Sequence, residues 1–209
     1  MMVGLAGCST SSSSSKNSSS SKAQTAQDKN YVRSGTLTKV DQWTKDNNIG
    51  KVTLTGISPI SNKLLTQQTD KVQITLNDVK VLTVRGNKEQ RDDAATEFEK
   101  DSLPAKYSYI QIQYTAKNIS NKEVQLGGIK QLVMPNGNQL NQDDDFVDNG
   151  EGEDIAKDAK KTELAFVLLD SQNTGLKPDN IRIIFDESMP EDGIATYQKG
   201  FSFTTKINY

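Results

Sequence analysis

The chain has no histidine and a single cysteine among its 209 residues. The absence of histidine excludes Ser–His–Asp triads and histidine metal sites. One cysteine can form neither an intrachain disulfide nor a cysteine zinc cluster. No apolar run approaches the roughly 18 residues that a membrane-spanning helix needs. Because 27 acidic residues nearly balance 25 basic ones, the chain also lacks the basic footprint of a dedicated nucleic-acid-binding protein.

Aromatic residues make up only 6% of the chain, and hydrophobic residues of all kinds make up 33%. This is a polar composition for a folded protein of this length. A length of 209 residues usually means one domain plus extensions, or at most two small domains.

The cysteine lies in an informative setting near the start of the printed sequence. Leu5, Ala6 and Gly7 precede Cys8, and ten of the thirteen residues from 9 to 21 are serine. This pattern resembles the lipobox of bacterial lipoproteins followed by a flexible polar tether. The resemblance implies that a diacylglyceryl group is attached to Cys8 and that the residues before it are removed.

A secretory signal normally begins with basic residues and continues through an apolar region of about 7–15 residues. Here seven residues precede Cys8 and none is basic, so we expect the natural chain to begin further upstream. We predict three parts: a residual signal peptide at 1–8, a disordered Ser-rich linker at 9–34 and a folded domain at 35–209. The linker has almost nothing apolar to bury, which is typical of disorder.

Short alternating segments dominate the chain from residue 50 onward. The clearest is 106–117, in which Ile110, Ile112, Tyr114 and Ala116 share one parity, as in a half-buried strand. A parity change at Asn77–Asp78 predicts a β-bulge, and Asn136–Gly137 predicts a hairpin. The predicted strands are 51–57, 71–84, 106–117, 123–134, 162–169, 180–185 and 196–207. Seven or eight strands with turns between them predict an all-β antiparallel sandwich.

One helix interrupts this pattern at 88–100. Asn87 followed by Gln90 predicts a capping box at its start. Because the segment is short, charged and weakly amphipathic, we interpret it as an insertion and not as a core element. Trp43, the one tryptophan, is expected to pack on the edge of the domain, since large aromatic residues are highly buried on average.

The strand and turn segments resemble a family of Gram-positive surface lipoproteins with an immunoglobulin-like "immunoprotective extracellular" domain, a domain of unknown function. The segments that carry the resemblance lie between about Val72 and Phe203: KVQITLNDVKVL, YIQIQYTAKNISNKEV, PNGNQL, DAKKTELAFVLLD and NIRIIFD. The resemblance implies a secreted or tethered immunoglobulin-like sandwich. It implies no activity and supplies no catalytic residue.

The densest cluster of one charge is the segment 143–154, with seven acidic residues in twelve. Asp143, Asp144, Asp145 and Asp148 supply oxygen ligands of the kind that calcium prefers. The spacing does not match an EF-hand loop. Two interpretations therefore stand: a solvated acidic loop without a cofactor, or a calcium site at these four carboxylates.

Two common catalytic motifs are absent from the sequence. It contains neither a G-x-S-x-G elbow nor a G-x-x-x-x-G-K-[ST] phosphate loop. Tyr107 and Tyr109 lie on the parity opposite to Ile110. They either present a binding surface for partners or sugars, or pack against an adjacent strand or the helix.

These observations predict a non-catalytic, lipid-anchored binding module on the extracellular face of a bacterial cell membrane. Its partners are the membrane, through the lipidated cysteine, and an envelope protein or a cell wall component; nucleic acid is not expected. Two alternatives remain at this stage. One is a structural or stress-related surface lipoprotein without a specific ligand, and the other is a carboxylate-based envelope hydrolase.

Overall fold

The computed structural model describes residues 28–59, 65–69, 71–141, 146–169, 178–190 and 200–209. Within these ranges the chain forms fourteen strands, one α-helix and one short 3-10 helix at Asp28–Asn30. The helix α1 spans Lys88–Glu97. The strands are β1 Trp43–Asp46, β2 Gly50–Ile57, β3 Leu65–Gln68, β4 Val72–Arg85, β5 Tyr107–Asn118, β6 Val124–Gln125, β7 Ile129–Val133, β8 Gln139–Asn141, β9 Phe146–Asp148, β10 Asp154–Ile155, β11 Lys160–Leu169, β12 Asn180–Phe185, β13 Met189–Pro190 and β14 Ser202–Lys206.

The described strands form three antiparallel sheets. The largest has the order β1-β2-β4-β5-β11-β9, with β3 paired to the far half of β4. A second sheet has the order β14-β12-β7-β8, and a third, smaller one has the order β10-β6-β13. The prediction of an all-β antiparallel architecture with one short helix is therefore confirmed. No helix in the described ranges combines the length and the apolarity needed to cross a bilayer.

The long strands β4 and β5 form the centre of the largest sheet. They pair from Val72 opposite Asn118 to Val84 opposite Tyr107, with one shift of register between Leu76 and Asp78. This shift is the bulge predicted from the parity change. It allows apolar residues of both parities in β4 to face cores, because a bulge inserts one residue and bends the strand.

The main core lies between the largest sheet and the other two. The inward positions of β5, namely Ile110, Ile112, Tyr114 and Ala116, are fully buried there, as the alternation predicts. They pack with residues from the second and third sheets, which include Ile183, Phe203, Leu132, Val124 and Ile155. This shared cluster makes the three sheets a single packed sandwich.

A second core lies on the opposite face of the largest sheet, under α1. Ala94, Ala95 and Phe98 are buried against it, together with Leu82 and Val84 of β4. The expectation that the helix is not a core element is therefore wrong, whereas its interpretation as an insertion stays a prediction. Two alanines and one phenylalanine supply all the buried positions of this segment, which is why its sequence looks only weakly amphipathic.

The capping box at the start of α1 is confirmed. The Asn87 side chain accepts a hydrogen bond from the Gln90 backbone N–H at 3.0 Å, and the Asn87 backbone N–H donates to the Gln90 side chain at 2.9 Å. The predicted hairpin is confirmed as well, since β7 and β8 pair on either side of residues 134–138. Gly137 takes a positive φ of 86° in this turn, which glycine adopts at no steric cost.

Candidate functional site

Five residues carried the predictions for specific sites, and the structure describes one of them. Cys8, the predicted lipid attachment point, lies outside the described residues. Asp143, Asp144 and Asp145 of the predicted calcium loop also lie outside them. Asp148 is the last residue of β9 and lies opposite Ala165 of β11.

The Asp148 carboxylate accepts hydrogen bonds from three donors. The Tyr114 hydroxyl lies 3.0 Å from Oδ1 and 3.2 Å from Oδ2. The backbone N–H of Gly150 donates to Oδ1 at 2.9 Å, and that of Ile129 donates to Oδ2 at 2.5 Å. Both oxygens are therefore engaged within the protein. The carboxylate ties the start of β7 and the segment after β9 to the centre of the main core.

Burial shifts the protonation equilibria of this cluster. It raises the pKa of Asp148, although the hydrogen bonds from Gly150, Ile129 and Tyr114 favour the charged form and oppose the shift. Burial is also the main cause that raises the pKa of the Tyr114 hydroxyl, and the adjacent Asp148 charge adds to it. The pKa of Glu163 is raised by burial and by the nearby carboxylates of Glu153 and Asp148.

Two glycines bring the backbone close to this network. A Cβ atom built on Gly150 would lie 1.9 Å from the Tyr114 hydroxyl oxygen, and one built on Gly128 would lie 2.8 Å from Asp148 Oδ2. The φ of Gly150 is not positive, so glycine is needed at this position because there is no space for a side chain. The local sequence Asp148–Asn149–Gly150 thus places a carboxylate and a side-chain-free residue on either side of one hydroxyl.

We expect Gly150→Ala to lower the free energy of unfolding by about 1–3 kcal/mol, the usual cost of overpacking. The new methyl group displaces the Tyr114 hydroxyl from Asp148. Tyr114→Phe removes the clashing oxygen, so Gly150→Ala should cost less in a Tyr114→Phe background. Chemical denaturation of the four proteins in this double-mutant cycle measures the difference. Strictly additive effects would contradict the proposed contact.

A depression with about 200 Å³ of empty space adjoins the site, lined by Tyr114, Gly128, Phe185, Asp186, Ser188 and Phe201 among others. It leaves essentially no room for the centre of a water molecule. A cavity that binds a ligand must hold at least the centre of one water-sized group. Between these described residues the sheets are therefore packed and offer no ligand cavity.

The acidic residues that follow Asp148 in the segment, at 151, 153 and 154, are exposed or half-buried. Lys161 donates to the Glu153 carboxylate in an ion pair, and this hydrogen bond raises the pKa of the Lys161 ammonium. Among the described residues no group of three acidic or cysteine side chains is placed to hold a metal ion. The calcium interpretation depends on Asp143, Asp144 and Asp145, and it stays a prediction.

The two tyrosines at the start of β5 are buried. Tyr107 is 3% exposed and Tyr109 is 5% exposed, and the Tyr109 ring lies 6.2 Å from the Phe98 ring. Burial raises the pKa of Tyr107 to about 12. Of the two interpretations of these residues, packing against the helix is confirmed and the exposed binding surface is wrong.

A cationic surface that the sequence did not reveal lies on the edge of the largest sheet. Lys45 is directly opposite Lys51 across β1 and β2, and Lys51 is directly opposite Arg85 across β2 and β4. Opposed residues of antiparallel strands project from the same face of a sheet, so the three cations form a row. Trp43 lies in the next row, opposite Thr53.

The aromatic residues beside this row are in contact with it. The Lys51 ammonium lies 4.2 Å from the centre of the Trp43 ring, within the range of a cation–π interaction. The Tyr31 ring lies 4.6 Å from the Trp43 ring and is 42% exposed. We call Tyr31, Trp43, Lys45, Lys51 and Arg85 the basic edge. Trp43 thus lies on the edge strand, as predicted. The three cations are distant in the sequence, and the pairing register of the strands brings them together.

Comparisons with known proteins assign the chain neither a family nor a function. The crystal structure of a functionally unknown protein from Listeria monocytogenes EGD-e is similar, with 12% identity over 74% of this chain and 86% of that chain and a TM-score of 0.49. An X-ray structure of a Northeast Structural Genomics Consortium target has 12% identity over 71% of this chain and 86% of that chain, with a TM-score of 0.30. No known protein family matches the sequence, and no curated protein matches it.

Proposed function

We propose that this protein is a non-catalytic, lipid-anchored binding module on the extracellular face of a bacterial cell membrane. The observation that carries the proposal is the order of parts in the chain. The lipobox-like residues Leu5–Cys8 come first, a Ser-rich segment follows, and an all-β sandwich comes after it. A lipid on a polar tether holds such a domain near the bilayer and leaves its sheet edges and loops accessible to partners.

The described domain offers edges and loops of the kind that binding modules use. The largest sheet ends at β1 on one side and at β9 on the other, and edge strands and end loops are common contact surfaces of such domains. The half-buried Asp148 carboxylate accepts hydrogen bonds from the backbone N–H groups of Ile129 and Gly150, which is a structural role. An envelope protein or a cell wall component is the proposed partner, on a domain of the immunoglobulin-like type.

Cross-linking in intact bacteria tests this proposal. A tagged chain with a complete signal peptide is expressed and cross-linked, and the captured proteins are identified by mass spectrometry. We expect one dominant envelope partner and a diacylglyceryl group on Cys8. An even scatter of abundant surface proteins would favour a spacer without a specific ligand.

The matched control is Cys8→Ser, which removes the acylated sulfur and leaves the domain unchanged. Each buried methylene of a lipid chain contributes about 0.8 kcal/mol to membrane binding. A smaller fraction of the variant than of the parent should therefore be recovered with the membrane, and the variant should lose its cross-linked partner. Equal membrane recovery of both proteins would contradict anchoring at Cys8.

A further inference from the structure

We propose that the basic edge binds the anionic phospholipid headgroups of the membrane and so docks the domain against the bilayer. This inference rests on the proposed anchoring at Cys8, which places the domain next to that surface. It goes further, because it assigns a second, electrostatic contact to five named residues and sets which end of the sandwich faces the lipid.

The charge pattern is the first argument. Lys45, Lys51 and Arg85 occupy directly opposed positions on three neighbouring strands, and like charges in such positions repel one another. Among the described residues no carboxylate forms an ion pair with any of the three. An anionic surface placed over the row removes the repulsion and adds attraction to each cation.

The nearest acid in the sequence does not neutralise the row. Asp46 follows Lys45 directly, so its side chain lies on the other face of β1. Its carboxylate accepts hydrogen bonds from the backbone N–H groups of Asn48 and Ile49 at 2.8 and 3.1 Å. It is therefore engaged in the turn between β1 and β2, and the row keeps a net positive charge.

The aromatic pair is the second argument. Tyrosine and tryptophan favour the interface between lipid and water, where the ring is apolar and the polar atom stays hydrated. Tyr31 is one of the two large hydrophobic residues exposed in the described chain, and it packs on Trp43. An aromatic pair beside three cations is the combination that an anionic headgroup surface attracts.

The point at which residues 1–27 join the domain favours the membrane over a soluble anion as the partner of the basic edge. The described chain begins at residue 28, and Tyr31 forms a bridge with Trp43, with the Val32 N–H donating to the Trp43 carbonyl at 2.8 Å. Residues 1–27, which include Cys8, therefore join the domain within a few residues of the basic edge. A lipid at Cys8 therefore brings this end of the sandwich within about 25 Å of the bilayer, the average span of about 20 flexible residues.

Vesicle binding of the full chain, produced without lipid, tests the inference. The chain is mixed with vesicles of phosphatidylcholine and phosphatidylglycerol, or of phosphatidylcholine alone, and its partition coefficient is measured by sedimentation. Trp43 is the one tryptophan, so its fluorescence reports directly on the basic edge. We expect binding to the anionic vesicles only, with a shift of the Trp43 emission to shorter wavelength.

The variant Lys45→Gln/Arg85→Gln removes two cations of the row and keeps the Lys51–Trp43 contact. Its partition coefficient should fall about 30-fold, the factor that corresponds to ~1 kcal/mol for each of two bases near an anionic surface. The matched control is Lys117→Gln/Lys160→Gln, since these lysines are also directly opposed in the largest sheet. This pair lies at the opposite end of the sheet from the basic edge, about 30 Å away along the strand direction. That distance exceeds the screening length of about 8 Å, so the loss of these two charges should change the partition coefficient by less than about twofold.

Three outcomes would overturn the inference: no binding to anionic vesicles, equal binding to neutral ones, or equal losses in the two double variants. Displacement by inorganic phosphate, but not by sodium chloride of equal ionic strength, would also overturn it in favour of a discrete phosphate site. The assay does not involve acylation. A chain that is lipidated at Cys8 in cells but ignores these vesicles keeps the proposed function and loses only this inference.

Discussion

Replacing Asp148 with alanine is expected to lower the free energy of unfolding by about 2–4 kcal/mol, because it leaves three buried donors without an acceptor. These donors are the Tyr114 hydroxyl and the backbone N–H groups of Ile129 and Gly150. The two backbone groups belong to segments that the carboxylate holds together. The substitution therefore removes hydrogen bonds and also the link between these segments. Urea denaturation followed by circular dichroism measures the change.

Asp148→Asn is the control that separates charge from shape. Its amide oxygen still accepts from Tyr114 and Gly150, but its amide nitrogen meets the Ile129 N–H, donor against donor. We expect a cost of about 1–3 kcal/mol, which is the usual penalty for one unsatisfied buried group. A variant as stable as the parent would show that the network does not hold these segments together.

The same pair of proteins tests the raised pKa of Asp148. A carboxyl whose pKa is higher in the folded than in the unfolded state holds its proton more tightly when folded. Its contribution to stability is therefore full below the unfolded pKa of about 4 and is lost as the pH rises through the folded pKa. The stability advantage of the parent over Asp148→Asn should shrink as the pH rises across this window. An advantage that grows with pH would mean that the hydrogen bonds outweigh burial. The charge of Asp148 contributes to the raised pKa of Glu163, so both proteins are compared in a Glu163→Gln background, which removes that second titration.

Phe98→Ala is the second large expected effect, with a loss of about 3–5 kcal/mol in the free energy of unfolding. Phe98 is 2% exposed and lies directly after α1, where its N–H donates to the Ala94 carbonyl at 3.1 Å. Its ring fills the space between the helix and Tyr109 of the sheet. Thermal and urea unfolding both report the loss.

The control for Phe98 is Asp93→Ala on the exposed side of the same helix. Surface substitutions of this kind usually change stability by less than about 0.5 kcal/mol. If Phe98→Ala lowers the helix signal and leaves the unfolding midpoint in place, the helix is an independent appendage. That result would restore the sequence-based expectation that α1 is not a core element.

Local patterns in the sequence were sufficient to predict much of the fold. The alternation from Ile110 to Ala116, the parity change at Asn77, the Asn87 capping box and the Asn136–Gly137 turn each act within a few residues. Each is confirmed in the structure. Such features are predictable because the physical cause and its consequence lie within one strand or turn.

The second core was not predictable in the same way. Tyr107 and Tyr109 lie on the parity opposite to Ile110, and an alternating strand gives no indication of what covers its other face. The hydrogen-bond network around Asp148 and the basic edge were not predictable for the same reason. Tyr114 and Asp148 are 34 residues apart, and Lys51 meets Arg85 only through the register of β2 on β4. These pairings depend on tertiary contacts that no local pattern encodes.

The strand β4 contributes to both cores, with Val79 and Val81 in one and Leu82 and Val84 in the other. A strand that is shared in this way cannot leave one core without disturbing the other. The two cores should therefore unfold as one cooperative unit with a single transition. A substitution under the helix and a substitution at Asp148 would then both lower the free energy of that single transition. A protein with both substitutions would be close to the stability below which quality-control proteases degrade it.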